Sequence, residues 1–302
     1  MRFLLPGIAL ILLAIACGGG SDARPADTTS ARSPSAAADT APPGQVTAPP
    51  VRVTITPSPG PPSADAPLYI ALGDSLSYGV GASDRFTTAF VSLVHDSLPA
   101  GTGLLNLGHS GDTSGELIQH GYLDEAATEV ARRNNDTNPN NDVTLVTLEI
   151  GGNDLLDLFF NYVVPGKCPT LDESLQRPEC VDILRRTLDE FQPNLKQIVD
   201  RLQAADPHLN IVMLTLYNPF SGAIPAFDPF GDLSLEGMPN TPFLEGENDI
   251  IRAEAAASGV KLADVYPLFF GKAKEYVGMD IIHPNDTGYK VMADAVIAAD
   301  KE

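Results

Sequence analysis

The chain has 302 residues, 43% of them hydrophobic, and a formal net charge of −20. Residues 1–66 hold four Arg and four Asp, so the whole excess lies in residues 67–302, with 15 basic against 35 acidic side chains. That balance disfavours nucleic acid, whose binding rests on Lys and Arg contacts to phosphate, and disfavours charge-driven docking on anionic lipid.

In chain order, Arg2 precedes an apolar run, Phe3 to Cys17, shorter than the roughly 20 residues a membrane span needs. A positive start, a short apolar stretch and small residues before a cysteine read as an export signal. The ending Ala14-Ile15-Ala16-Cys17 resembles a bacterial lipobox, which would leave Cys17 as a lipid-bearing N-terminus. The alternative is an ordinary signal peptide with an incidental cysteine. Residues 18–66 contain ten of the chain's 26 prolines among Ser, Thr, Ala and Gly. Such a segment buries too little surface to offset its ordering entropy, so it reads as a linker. The expected organisation is a signal at 1–17, a linker at 18–66 and one folded domain at 67–302. The protein would be extracytoplasmic, secreted or held at a membrane only through its N-terminal lipid.

The domain opens on Leu68–Leu72, a buried strand candidate that ends at Gly73. Helical spacing follows over Phe86–Leu98, then a strand over Gly103–Leu107 and a helix over Gly115–Arg133. The Asn-rich stretch Asn134–Asp142 is a loop, and Val143–Ile150 is the longest strand candidate. A long helix is predicted over Val181–Ala204, with a possible kink at Pro193. The remaining elements are a strand at Ile211–Tyr217, a helix at Asp249–Ala257, a strand at Leu262–Val265 and a closing helix at Asn285–Ala299. Repeated strand–helix–strand units whose strands lack a polar face imply α/β architecture, a five-stranded parallel sheet covered by helices on both sides. Ligand sites in such sheets lie beyond the carboxyl ends of the strands.

Cys168 and Cys180 form an even pair in one loop. In an oxidising compartment they would close it as a disulfide worth about 3 kcal/mol; two free buried thiols are the alternative. No Cys-x-x-Cys or Cys/His cluster suggests zinc, and no metal or cofactor is expected.

Four segments fall just after strands or before the last helix: Gly73-Asp74-Ser75-Leu76, Asn106-Leu107-Gly108-His109-Ser110-Gly111-Asp112-Thr113, Gly151-Gly152-Asn153-Asp154 and Asp280-Ile281-Ile282-His283-Pro284. A serine hydroxyl needs a base to become a nucleophile. His283 is the best placed of five histidines, with Asp280 three residues earlier to fix its tautomer. In these blocks the sequence resembles the SGNH, or GDSL, hydrolase family, whose markers are Ser, Gly, Asn and His in that order. The resemblance covers residues 68–300. It implies a three-layer α/β/α sandwich of flavodoxin-like type, with Ser75 attacking an ester carbonyl, His283 as base and then acid, and Asp280 orienting it. It also implies an oxyanion hole of the Ser75 and Gly111 backbone N–H groups with the Asn153 amide.

Each block has a plainer reading. Gly73-Asp74-Ser75 could be a helix cap, and Gly151-Gly152-Asn153-Asp154 a turn. Asp74, Asp112 and Asp154 could be ligands in a metal-dependent phosphodiesterase, although catalytic metal sites usually want more histidine. His95, His109, His120 and His208 read as surface or packing residues, with His109 notable for lying inside the second block. The Gly-x-Ser-x-Gly elbow fails because residue 77 is Ser. A dinucleotide fingerprint at Gly79-Val80-Gly81 fails because residue 84 is Asp.

Two insertions, Leu155–Cys180 and Pro219–Gly246, carry aromatic and aliphatic residues and either wall an acyl pocket or only cover the sheet edge. The expected activity is hydrolysis of short- to medium-chain acyl esters by a monomer. Sugar O-acetyl esters, lysophospholipids and thioesters are alternative substrates, and a non-catalytic binding lipoprotein is a further alternative.

Overall fold

Every residue of the first apolar run, Leu68–Gly73, is buried, because this strand is covered on both faces. The structure, a computed structural model, describes residues 63–302. The expected export signal, Cys17 and nearly all of the linker lie outside the described residues.

The elements in chain order are β1 (Leu68–Gly73), α1 (Ser75–Tyr78), α2 (Phe90–Ser97), β2 (Gly103–Gly108), α3 (Ser114–Gln119), α4 (Tyr122–Asn134), β3 (Val143–Glu149) and α5 (Gly152–Leu158). A π-helical turn over Phe159–Val163 follows α5. Then come α6 (Leu171–Ser174), α7 (Pro178–Ala205), β4 (Ile211–Leu214), α8 (Asp228–Glu236), α9 (Glu247–Ser258), β5 (Lys261–Ala263), α10 (Tyr266–Phe269), α11 (Ala273–Tyr276) and α12 (Asp286–Asp300). The five strands are parallel in the order β2-β1-β3-β4-β5. Ile70 of β1 stands between Leu105 of β2 and Val146 of β3. This is the doubly wound order whose switch point opens a crevice at the strand ends, and the three-layer α/β/α fold is as expected.

The alternation of β1 divides the core. Leu68, Ile70 and Leu72 pack with Val130 of α4 and Ile198 and Leu202 of α7. Tyr69 and Ala71 face Phe90 and Val94 of α2 and Met292 and Val296 of α12. Each fully buried side chain of this size contributes about 1.5–3 kcal/mol. The Tyr69 hydroxyl is satisfied by Thr147 Oγ1 at 2.8 Å. At the entrance to β1, the buried guanidinium of Arg133 donates to the carbonyls of Ser63, Ala66 and Asn141. Those bonds clamp the start of the folded segment onto α4.

Several boundaries differ from the periodic reading. The helix expected over Gly115–Arg133 is two helices, because Gly121 at φ 86° starts α4 afresh after the α3 C-cap His120. The helix expected from Phe86 starts at Phe90. Ahead of it Asp84 caps the Phe86 N–H, and Asp286 of α12 accepts from Ser83 and Thr88. The strand expected to Tyr217 stops at Leu214, since Leu216 exchanges its backbone bonds with the Asn248 side chain instead. Helix α7 runs through Pro193 as one element. The two insertions are substantially helical: α5, the π turn and α6 build the first, and α8 the second.

Candidate active site

Three strands end at the same edge, and each delivers one block. Beyond β1, Asp74 caps α1 by accepting the Leu76 N–H at 2.9 Å, which sets the next residue, Ser75, at the head of a helical turn. The fourth block arrives from the loop between α11 and α12. That loop is closed by an antiparallel bridge between Val277 and Pro284 and by Gly278 N–H donating to the His283 carbonyl at 2.8 Å. Asn285 opens the last helix by accepting from Thr287 and Gly288.

Ser75 Oγ lies 2.9 Å from His283 Nε2, and His283 Nδ1 lies 2.7 Å from Asp280 Oδ2. The other Asp280 oxygen accepts the backbone N–H groups of Ile282 at 3.1 Å and His283 at 3.0 Å. Burial alone would push Asp280 up. The hydrogen bonds from the His283 ring and these two amides outweigh it and hold the carboxyl below its ordinary value. It is therefore an anion that can orient an imidazole and stabilise its protonated form. Tyr217 Oη donates to the Ile282 carbonyl at 2.6 Å, which steadies the same turn. Ile281 within it has φ 64°, a sparsely allowed conformation for a β-branched residue.

Asn153 Nδ2 donates to Asp74 Oδ2 at 3.1 Å and to the Asp112 carbonyl at 2.9 Å. Gly111, at φ 96°, directly precedes Asp112. The first three blocks thus form one network around Ser75. Both amide protons of Asn153 are engaged in it, so donation to an oxyanion requires one of these bonds to be shared or exchanged. Asp154 is turned away, accepting from Ser114 N–H at 2.8 Å and Ser114 Oγ at 2.7 Å. Asp74, Asp112 and Asp154 therefore serve three separate hydrogen-bond sets.

A cleft of about 790 Å³, counting its open mouth, begins at Ser75, Asn153 and His283. Leu155, Leu156, Phe159, Phe220, Phe230 and Ile282 line it, so both insertions contribute walls. Phe227 backs this wall by packing edge-on to Phe159 at 4.9 Å. Phe243 packs instead with Leu184 and Leu188. The sulfurs of Cys168 and Cys180 are joined at 2.06 Å, tying the segment after the π turn to the first turn of α7 beside Val163.

Periodicity did not disclose three features of this region. Glu149, at the end of β3, is 1% exposed and neither of its oxygens has a geometric hydrogen-bond partner. Burial, reinforced by the nearby Asp74 carboxylate, pushes it well above its ordinary value. Glu247, at the start of α9, is fully buried with both oxygens unpartnered, and burial raises it likewise. A charge closing an otherwise apolar strand was the available signal for Glu149. Gly81 is the third: a Cβ there would stand 2.6 Å from the Pro284 carbonyl and 2.9 Å from His283 Cβ, so only glycine lets this loop pass against His283.

The profile of the GDSL-like Lipase/Acylhydrolase family matches residues 71–291. The spore germination lipase LipC of Bacillus licheniformis is 24% identical over 238 residues, covering 76% of this chain and 95% of that protein. The crystal structure of the lipase Lip_vut3 from a goat rumen metagenome superposes with a TM-score of 0.57 at 23% identity, covering 78% of this chain and 97% of that one. An extracellular lipase of Streptomyces rimosus superposes with a TM-score of 0.52 at 20% identity, over 78% and 100% of the two chains. At these identities the superpositions speak to the fold.

Proposed function

The chain belongs to the GDSL-like lipase/acylhydrolase family, and from that premise we propose that it hydrolyses carboxylic esters of short- to medium-chain acyl groups through an acyl-enzyme on Ser75. The observation that carries this reading is the hydrogen-bonded run Ser75–His283–Asp280 at the mouth of an apolar cleft.

Chemistry follows from the distances. His283 Nε2 takes the Ser75 hydroxyl proton as Oγ bonds to the ester carbonyl carbon. The carbonyl oxygen gains the displaced electron pair, and the Ser75 and Gly111 N–H groups with the Asn153 amide are the donors assigned to it. The alkoxide leaves with the proton from His283. Water, deprotonated by the same imidazole, then cleaves the acyl-enzyme and restores Ser75. Asp280 remains ionised throughout and stabilises the imidazolium.

The acyl group would lie along Leu156, Phe159, Phe220 and Phe230. Each added methylene contributes about 0.8 kcal/mol until the space is filled. A series of p-nitrophenyl esters from acetyl to palmitoyl tests this. We expect kcat/KM to rise to butyryl or hexanoyl and then fall. A maximum at acetyl would point to sugar deacetylation, and a rise through palmitoyl to a lipase of long chains. Activity in the presence of a chelator separates either from a metal-dependent phosphodiesterase. We further propose that the protein is exported and tethered through lipid on Cys17, a reading that rests on the Ala14–Cys17 ending. Release of Cys17→Ser from membranes of a bacterial host is its test, and unchanged membrane association would refute it.

A further inference from the structure

Two histidines that the sequence reading set aside as surface or packing residues turn toward one buried carboxylate. His109 Nδ1 lies 2.6 Å from Asp112 Oδ1, and His120 Nδ1 lies 3.1 Å from each Asp112 oxygen. The Asp112 side chain is 3% exposed, whereas the two histidine side chains are 49% and 44% exposed. Among the described residues, the side chains that meet the Asp112 carboxylate are these two imidazoles and no Lys or Arg. The Tyr122 ring stacks on His109 with centroids 5.2 Å apart and meets His120 edge-on at 6.3 Å, which confines both rings. Glu116 adds a further negative charge close to both histidines. One ligand atom from each of the three residues lies within 4.8 Å of the others, the single such grouping of His, Cys, Asp and Glu found among the described residues.

We propose that His109, Asp112 and His120 bind a divalent transition-metal ion of the zinc class. Two imidazoles and one carboxylate are a donor set that such ions accept, with a fourth position left to water. Imidazole nitrogen disfavours Mg²⁺ and Ca²⁺, which take oxygen ligands. Bonds of about 2.0–2.2 Å place tetrahedral ligand atoms roughly 3.3–3.6 Å apart. The half-exposed His109 ring therefore has to withdraw from Asp112 by less than about 1 Å, while Asp112 stays anchored. Its N–H donates to the His109 carbonyl and its own carbonyl accepts from Asn153. The net charge of −20 raises local cation concentration. The bound ion takes no part in ester cleavage. It cross-links the turn after β2, which carries Gly111, to the turn between α3 and α4, where His120 stands.

The site is tested by binding, independently of turnover, using full-length Ser75→Ala protein stripped with chelator. Calorimetry at neutral pH should find one Zn²⁺ per chain with Kd of about 10 µM or tighter. At saturating zinc the melting temperature should rise by roughly 5–10 °C, and millimolar Mg²⁺ should do neither. Adding His109→Ala and His120→Ala together should weaken binding at least about 30-fold and abolish the thermal shift. Each single change should give a partial loss, and adding His283→Ala instead should leave both intact. Absence of saturable zinc binding below about 1 mM, equal binding after the double substitution, or loss of binding on His283→Ala would each overturn the assignment. None of these outcomes bears on whether Ser75 is the nucleophile.

Discussion

Ser75 Oγ and His283 Nε2 stand 2.9 Å apart although 208 positions separate them in the chain. The first strand end and the turn before the last helix, which carry the proposed nucleophile and the proposed base, are joined only when the sheet is complete. The loss of either should therefore disable chemistry without unfolding the protein, because neither side chain belongs to the two main core clusters.

Ser75→Ala should lower kcat on a p-nitrophenyl ester by about 10⁴-fold or more, with an unchanged melting temperature. Asp280→Asn and His283→Ala should each cost about 10³-fold or more, and the double variant little beyond the worse single one, since the pair acts as a unit. Esterase kinetics on the four proteins check this. Independent, multiplicative losses for Asp280 and His283 would separate their roles.

Asn153→Ala should reduce kcat by about 100- to 1000-fold with a much smaller change in KM, as removal of one oxyanion donor does. The same change strips a donor from buried Asp74, so unfolding free energy should fall by about 1–3 kcal/mol. Parallel kinetic and urea measurements distinguish the two effects. A stability loss without the kcat loss would make Asn153 a structural clamp only.

Glu247 supplies a pH prediction with a definite sign. Burial, then the Asp154 and Asp74 charges, raises its folded pKa well above 4.5. Its contribution to stability is therefore fully present below about pH 4.5 and is lost as pH climbs toward the folded value, at up to about 1.4 kcal/mol per pH unit. Glu247→Gln removes the titration while keeping shape and neutrality. The variant should match the parent near pH 4.5 and exceed it in melting temperature at pH 8. An identical difference at both pH values would show that Glu247 does not titrate with folding.

Ile281 holds φ 64° between Asp280 and His283 and is 44% exposed. A side chain that tolerates the left-handed region should relieve this strain, which costs on the order of 1 kcal/mol. Ile281→Asn should raise the melting temperature by about 2–4 °C while kcat changes less than about threefold, a shift under 1 kcal/mol in the barrier. A fall in melting temperature would mean that apolar contacts of Ile281 outweigh the strain. A large loss of kcat/KM would assign its side chain to substrate contact.

The sequence by itself determined the strand and helix types, because strands covered on both faces must be largely apolar, as Leu68–Leu72 is and as Val143–Leu148 is apart from Thr144 and Thr147. It also carried the local chemistry. Asp280 reaches His283 over three residues, and Asp74 caps the turn that presents Ser75, so short spacing suffices for both. The cysteine pair, twelve positions apart, belongs to the same class. Only the tertiary structure decided the rest, since the sheet order β2-β1-β3-β4-β5 is what brings distant strand ends to one edge. That order linked Asn153 to both Asp74 and Asp112, and turned Phe159 and Phe220 from separate insertions into one stacked wall, 4.8 Å apart. It also enclosed Glu149 and Glu247, of which only Glu149, at the end of a largely apolar strand, carried any sign of burial in the sequence. The break at Gly121 belongs with these long-range effects. Helical spacing continues across it, but a left-handed backbone there redirects the chain, so that α4 starts afresh after His120.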